Sequence, residues 1–189
     1  MTKLFKLISV GILSLILTTG VFAKTEVVYI PKNTGNPYFD SIIKGFEVGA
    51  EKYGYNFSTV APATADATSQ LPFIKAEIQR GVDVIAISPN SNDALNTVFD
   101  QARKKGIIIM VVNGDIPGSE AHRDLAIMPV DFSTVGTAQM TLMGQLIDHA
   151  GQFAILSATT DAPDQNTWIK DMEDNICLLY TSPSPRDRG

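Results

Sequence analysis

The side chains able to do chemistry in this 189-residue chain are concentrated in four short polar stretches. They read Pro31-Lys32-Asn33-Thr34-Gly35-Asn36, Ser88-Pro89-Asn90-Ser91-Asn92, Asn113-Gly114-Asp115 and Thr159-Thr160-Asp161-Ala162-Pro163-Asp164-Gln165. Amides, carboxylates, hydroxyls and an ammonium group together both give and accept hydrogen bonds. They do not make a reaction centre. The chain has no Gly-x-Ser-x-Gly elbow, no Gly-Lys-Ser/Thr phosphate loop, no His-Glu-x-x-His and no Gly-x-Gly-x-x-Gly. Its two histidines are His122, in a polar loop, and His149, near a helix C-terminus, where an imidazole commonly complements the helix dipole. Neither has metal-ligand company. The expectation is binding without catalysis, with no cofactor and no metal.

Each polar stretch follows a short apolar run. Residues 27–30, 55–60, 84–87, 107–112, 125–130 and 153–156 read as strands, and 38–53, 69–79, 93–104 and 134–149 carry a helical pattern between them. Strands apolar on both faces are buried from both sides, and joining them through helices requires parallel pairing by right-handed crossovers. The predicted fold is α/β, a doubly wound parallel sheet. Gly54 and Gly106 sit just past two helices, where glycine enters the left-handed region without steric cost. In such sheets ligands bind beyond the carboxyl ends of the strands, where these polar stretches lie.

The start of the chain reads as an address. Lys3 and Lys6 precede or flank a largely apolar run over 7–17, too short to span a bilayer, and Val21-Phe22-Ala23 supplies a small-residue cleavage pattern. A signal peptide over residues 1–23 is expected, cut after Ala23, leaving an exported, periplasmic protein without membrane insertion. Of the chain's 20 acidic and 15 basic residues, 19 and 11 fall in residues 24–176, so the mature surface is acidic. That balance argues against nucleic acid and anionic membranes as partners, since phosphate contacts need cations. From Cys177 onward, Cys-Leu-Leu-Tyr-Thr-Ser-Pro-Ser-Pro-Arg-Asp loses all periodicity and looks like a translated sequencing adapter. The native part of the sequence is therefore expected to stop near Ile176, as an N-terminal fragment of a longer chain, with 177–189 disordered; a genuine Ser/Pro-rich tail is the alternative. Cys177 is the only cysteine, so residues 24–176 carry neither a disulfide framework nor a thiolate cluster.

Three motifs occur in order: Ile30-Pro31-Lys32 leading into Gly35-Asn36-Pro37-Tyr38-Phe39, Arg80-Gly81-Val82-Asp83 ahead of Ile87-Ser88-Pro89-Asn90, and Asp164-Gln165-Asn166-Thr167-Trp168. Together they resemble the sugar-binding periplasmic proteins of ABC importers, in the branch of the ribose-, rhamnose- and autoinducer-2-binding proteins. The resemblance implies a type I periplasmic binding protein, with an incomplete first lobe over 24–130 whose return segments are missing, a crossover near Val130-Asp131 and the start of a second lobe over 131–176. It implies a monomeric subunit that captures a small sugar-like molecule and presents it to an importer's permease. A sensory module feeding a chemoreceptor or histidine kinase is the alternative; a repressor of this fold would start with a helix-turn-helix, where a signal peptide stands.

The same resemblance places Lys32, Tyr38, Phe39, Asn90, Asn113, Asp115, Asp164 and Gln165 at the ligand. A sugar presents hydroxyls between apolar faces and calls for bidentate polar groups and aromatic walls. Lys32 would donate to oxygens and a ring of Tyr38 or Phe39 would cover an apolar face, the other packing in the core. Asp164 is either a helix cap or a ligand acceptor, with Gln165 beside it, and Trp168 is expected in the core. Asn90 is either a contact or a turn former. At Asn113 the resembling proteins carry an aspartate, so the ligand's identity is open.

Overall fold

The computed structural model describes residues 23–91, 93–115, 118 and 120–179, with side chains up to Ile176. The segment expected as a signal peptide, up to Phe22, and the residues from Tyr180 onward lie outside the described residues. The elements run β1 (Glu26–Ile30), α1 (Pro37–Tyr53), β2 (Asn56–Thr59), α2 (Leu71–Arg80), β3 (Val84–Ile87), α3 (Asn96–Lys104), β4 (Ile108–Val112), a 3-10 turn (Glu120–His122), β5 (Leu125–Ile127), α4 (Phe132–Leu146) and α5 (Pro163–Leu179). The five strands form one sheet in the order β2-β1-β3-β4-β5, all parallel. This is the doubly wound arrangement that alternating apolar runs and helices predict.

The register sets Val28 beside Ile85 and Ile85 beside Ile109, so branched side chains stack across the three central strands. On one face Val28, Ile85 and Ile109 pack with Ile74 and Ile78 of α2 and with Val98 and Phe99 of α3. The other face carries Tyr29, Ala86 and Val112 under Phe39, Ile42 and Phe46 of α1. There the Phe46 ring stacks between Tyr29 and Phe57, at 5.2 and 5.3 Å between centroids. Helix α1 begins with the Asn36 side chain accepting from the Tyr38 N–H at 3.1 Å and Pro37 in its first turn. It ends at Gly54 with φ 74°, a left-handed stop that leads straight into β2.

Not every strand is apolar on both faces. The outer strand β2 reads Asn-Phe-Ser-Thr with both ends exposed, and β5 keeps only three residues, with Leu125 and Ile127 about half exposed. Residues 153–156, expected as a strand, pair with nothing and are not one; Leu156 is 99% exposed. A parallel strand exists only by hydrogen bonding to a neighbour, and no described strand lies beside this segment. Helix α5 runs three residues past the point where periodicity was expected to fail, to Leu179.

Helices α4 and α5 pack on each other away from the sheet. Gly136 lets them approach: a Cβ there would stand 2.5 Å from the Trp168 carbonyl oxygen and 2.6 Å from the Met172 nitrogen. Phe132 and Trp168 meet edge to face at 5.3 Å, and Asp171 accepts from the Thr137 N–H at 2.6 Å. Among the described residues no helix is long and apolar enough to cross a membrane.

Candidate functional site

The carboxyl ends of β1 and β4 and the start of α5 meet around a cleft of about 420 Å³. Six of the eight residues expected at a ligand line it: Lys32, Tyr38, Phe39, Asn113, Asp164 and Gln165. They come from three separate stretches of chain: parallel strands deliver the loops after β1 and β4 to one edge of the sheet, and the start of α5 lies against them. The volume is in the range of small-molecule sites.

Lys32 follows β1 and is not solvated. Its Nζ donates to Asp164 Oδ1 at 2.6 Å, and the two side chains are 10% and 4% exposed. Asp164 is not the cap of α5. Pro163 takes the first helical position, and Asp164 follows in the first turn, where a negative charge complements the helix dipole. The loop after β4 lies beside Asp164: a Cβ on Gly114 would stand 3.7 Å from the Asp164 Cβ, an ordinary van der Waals contact.

Asn113 follows β4 directly with φ 68°, a left-handed conformation that asparagine tolerates better than most residues. Its N–H donates to the Ile127 carbonyl at 2.9 Å, and its Oδ1 accepts from the Tyr38 hydroxyl. The Tyr38 ring is about half exposed at the cleft wall. Partial burial, and then the negative charge of Asp164, hold its hydroxyl pKa above the ordinary value, so the group stays a donor. Phe39 does both jobs set out for the aromatics. It touches the cleft, yet is 4% exposed and packs with Tyr29, Ala86 and Val112.

Gln165 is oriented by its surroundings. Its Oε1 accepts from the Ser157 hydroxyl and from the Ala158 N–H, both at 2.7 Å, and the backbone donor fixes which end of the amide is oxygen. The amide nitrogen is thereby turned the other way. Lys32 and Asp164 offset each other, and no other lining residue is charged, so the cleft suits an uncharged ligand rich in hydroxyls.

Two expected residues lie elsewhere. Asn90 is 1% exposed behind the cleft, its Nδ2 donating to the Lys32 carbonyl at 2.8 Å and to Ser69 Oγ at 3.3 Å. Asp115 faces away and is gripped by Arg123, whose Nε donates to Oδ1 at 2.6 Å; this bond is the first cause of a raised Arg123 pKa. The chain turns so sharply at Asn113 that two residues on it has left the site. Gln139 and Trp168 also line the cleft. Trp168 was expected in the core; its Nε1 is buried without a partner, and the ring is shared between cleft and helix packing. The four-residue step from Asp164 signals that placement, since it returns to the same helix face. Gln139 carries no sequence signal of its own. Among the described residues no cluster of His, Cys, Asp and Glu could hold a metal.

Residues 27–177 match the family described as periplasmic binding protein domain. The chain is similar to the ribose import binding protein of Escherichia coli (strain K12), at 26% identity over 126 residues, covering 67% of this chain and 42% of the relative. Among solved structures it is similar to an ABC transporter solute-binding protein from Clostridium phytofermentas with bound L-rhamnose. That match has a TM-score of 0.78 and 28% identity, over 85% of this chain and 50% of the other. A solute-binding protein from Burkholderia graminis C4D1M in complex with D-arabinose matches with a TM-score of 0.76 and 27% identity, over 84% and 53%. The chain spans about half the length of the relatives it matches.

Proposed function

The chain belongs to the family of periplasmic binding protein domains, and from that premise we propose that it captures a small sugar or sugar-like molecule outside the cytoplasm for an ABC importer. The observation that supports this reading is the convergence of Lys32, Asn113 and Asp164, far apart in sequence, on one cleft of balanced charge walled by Tyr38 and Phe39. Lys32 donates to ligand oxygens, Asp164 accepts from hydroxyls, and Asn113 and Gln165 each offer an amide to a hydroxyl that both gives and accepts. Tyr38 covers an apolar face of the ring. The ligand is held and not transformed.

On this reading the sheet and its helices form the first lobe, and α4 and α5 open the second. Closure of two lobes by a hinge would then trap the ligand and present it to a permease. The relatives' ligands set the candidates: ribose, L-rhamnose and D-arabinose. Isothermal titration with these three tests it. Saturable binding of one of them, tighter than about 1 mM, supports the reading; no binding by any of them or by related polyols removes its basis.

A further inference from the structure

Beneath the cleft lies a buried amide cluster that takes no part in lining it. Gln70, at the start of α2, is fully buried. Its Nε2 donates to the Pro31 carbonyl at 3.0 Å and to the Ser88 carbonyl at 2.7 Å, while its Oε1 accepts from the Asn90 N–H at 2.9 Å. Asn90 in turn donates from Nδ2 to the Lys32 carbonyl at 2.8 Å. The peptide unit before the Lys32 Cα is therefore held by one amide and the unit after it by the other. A residue has two soft backbone dihedrals, so fixing both flanking planes fixes the direction in which its side chain leaves. For Lys32 that direction leads to Asp164.

A space-filling role explains this poorly. An apolar side chain of similar length would fill the same volume without the need to satisfy polar atoms, and Gln70 uses both of its amide hydrogens on loop carbonyls. We propose that Gln70 and Asn90 are positioning residues for Lys32, a two-amide clamp that aims its ammonium group into the cleft. The proposal shares its site with the sugar-binding reading, but its test needs no ligand, so the two fail separately.

The test is site-resolved acylation of lysines in the full chain by acetic anhydride, read by mass spectrometry. Lys44, whose side chain is 73% exposed, is the internal reference. In Gln70→Met the labelling of Lys32 relative to Lys44 is expected to rise about three- to tenfold, the population equivalent of losing one net hydrogen bond. Gln70→Glu keeps the acceptor facing Asn90 but loses the donors to both carbonyls, and should release Lys32 as much. An unchanged Lys32 ratio in folded Gln70→Met overturns the proposal, because a filler would be replaced silently by methionine. Lys32 is the one buried lysine among the described residues, so global unfolding is recognised separately, by loss of the circular dichroism of the helices. Asn90→Ala, which removes only the side-chain hold on Lys32 and Ser69, then decides: a raised ratio supports the clamp, an unchanged one overturns it.

Discussion

Removing the carboxylate of Asp164 strands the Lys32 ammonium. The two groups are 2.6 Å apart with side chains 10% and 4% exposed, so in Asp164→Ala the lysine loses its counter-ion where water reaches it poorly. Breaking a buried pair by deleting one partner costs about 3–5 kcal/mol, whereas replacing both partners with apolar residues of similar volume is often neutral or stabilising. At about 2–4 °C per kcal/mol for a chain of this size, Asp164→Ala should lower Tm by roughly 6–20 °C. The double variant Lys32→Met with Asp164→Leu should recover most of that loss. Thermal unfolding followed by circular dichroism measures both. A single variant as stable as the parent, or a double variant as damaged as the single one, would refute the reasoning that the pair is buried and mutually dependent.

Other outcomes follow from particular contacts. Gly136→Ala places a Cβ against backbone atoms of α5 that cannot rotate away, and should cost about 1–3 kcal/mol in denaturant unfolding. Tyr29 is buried, and burial is the largest cause raising its pKa. Its contribution is therefore whole below the unfolded value near 10 and is lost as pH rises above it, so a urea titration series should show stability falling above about pH 10, less steeply in Tyr29→Phe. Tyr38 is half exposed, so Tyr38→Ala should leave Tm within a few degrees while weakening sugar binding about tenfold by titration, through loss of its ring face and hydroxyl.

The central strands were legible in the sequence because β1, β3 and β4 are buried on both faces, and continuous branched runs have no other use in a chain of this kind. The left-handed stop at Gly54 was equally direct. Strand β2 was read as well, over 55–60 against Asn56–Thr59, though not its exposed ends. The segment 153–156 was misread, because whether a short apolar run becomes a strand depends on a neighbour that local sequence does not name. Helix α2 begins two residues later than its periodicity suggests. The Gln70 side chain, which could have turned toward the helix, is spent on the loops of β1 and β3.

In the site the same division holds. Lys32, Asn113 and Asp164 could be found because each directly follows a strand or opens a helix, where parallel topology gathers side chains. Asn90 stands at such a position too, but the Lys32 carbonyl and Gln70 draw it underneath, a competition visible only when the two loops are placed side by side. Asp115 was lost to Arg123 by the turn at Asn113.

The central claim, that this cleft grips a hydroxylated molecule, is tested most directly by a crystal structure of the chain with the sugar that titration selects. The account predicts ring hydroxyls within hydrogen-bonding distance of Lys32 Nζ, Asp164 and Asn113, with Tyr38 against an apolar face. Sugar bound at another surface, with the Lys32–Asp164 pair and the cleft around it unchanged, would contradict it.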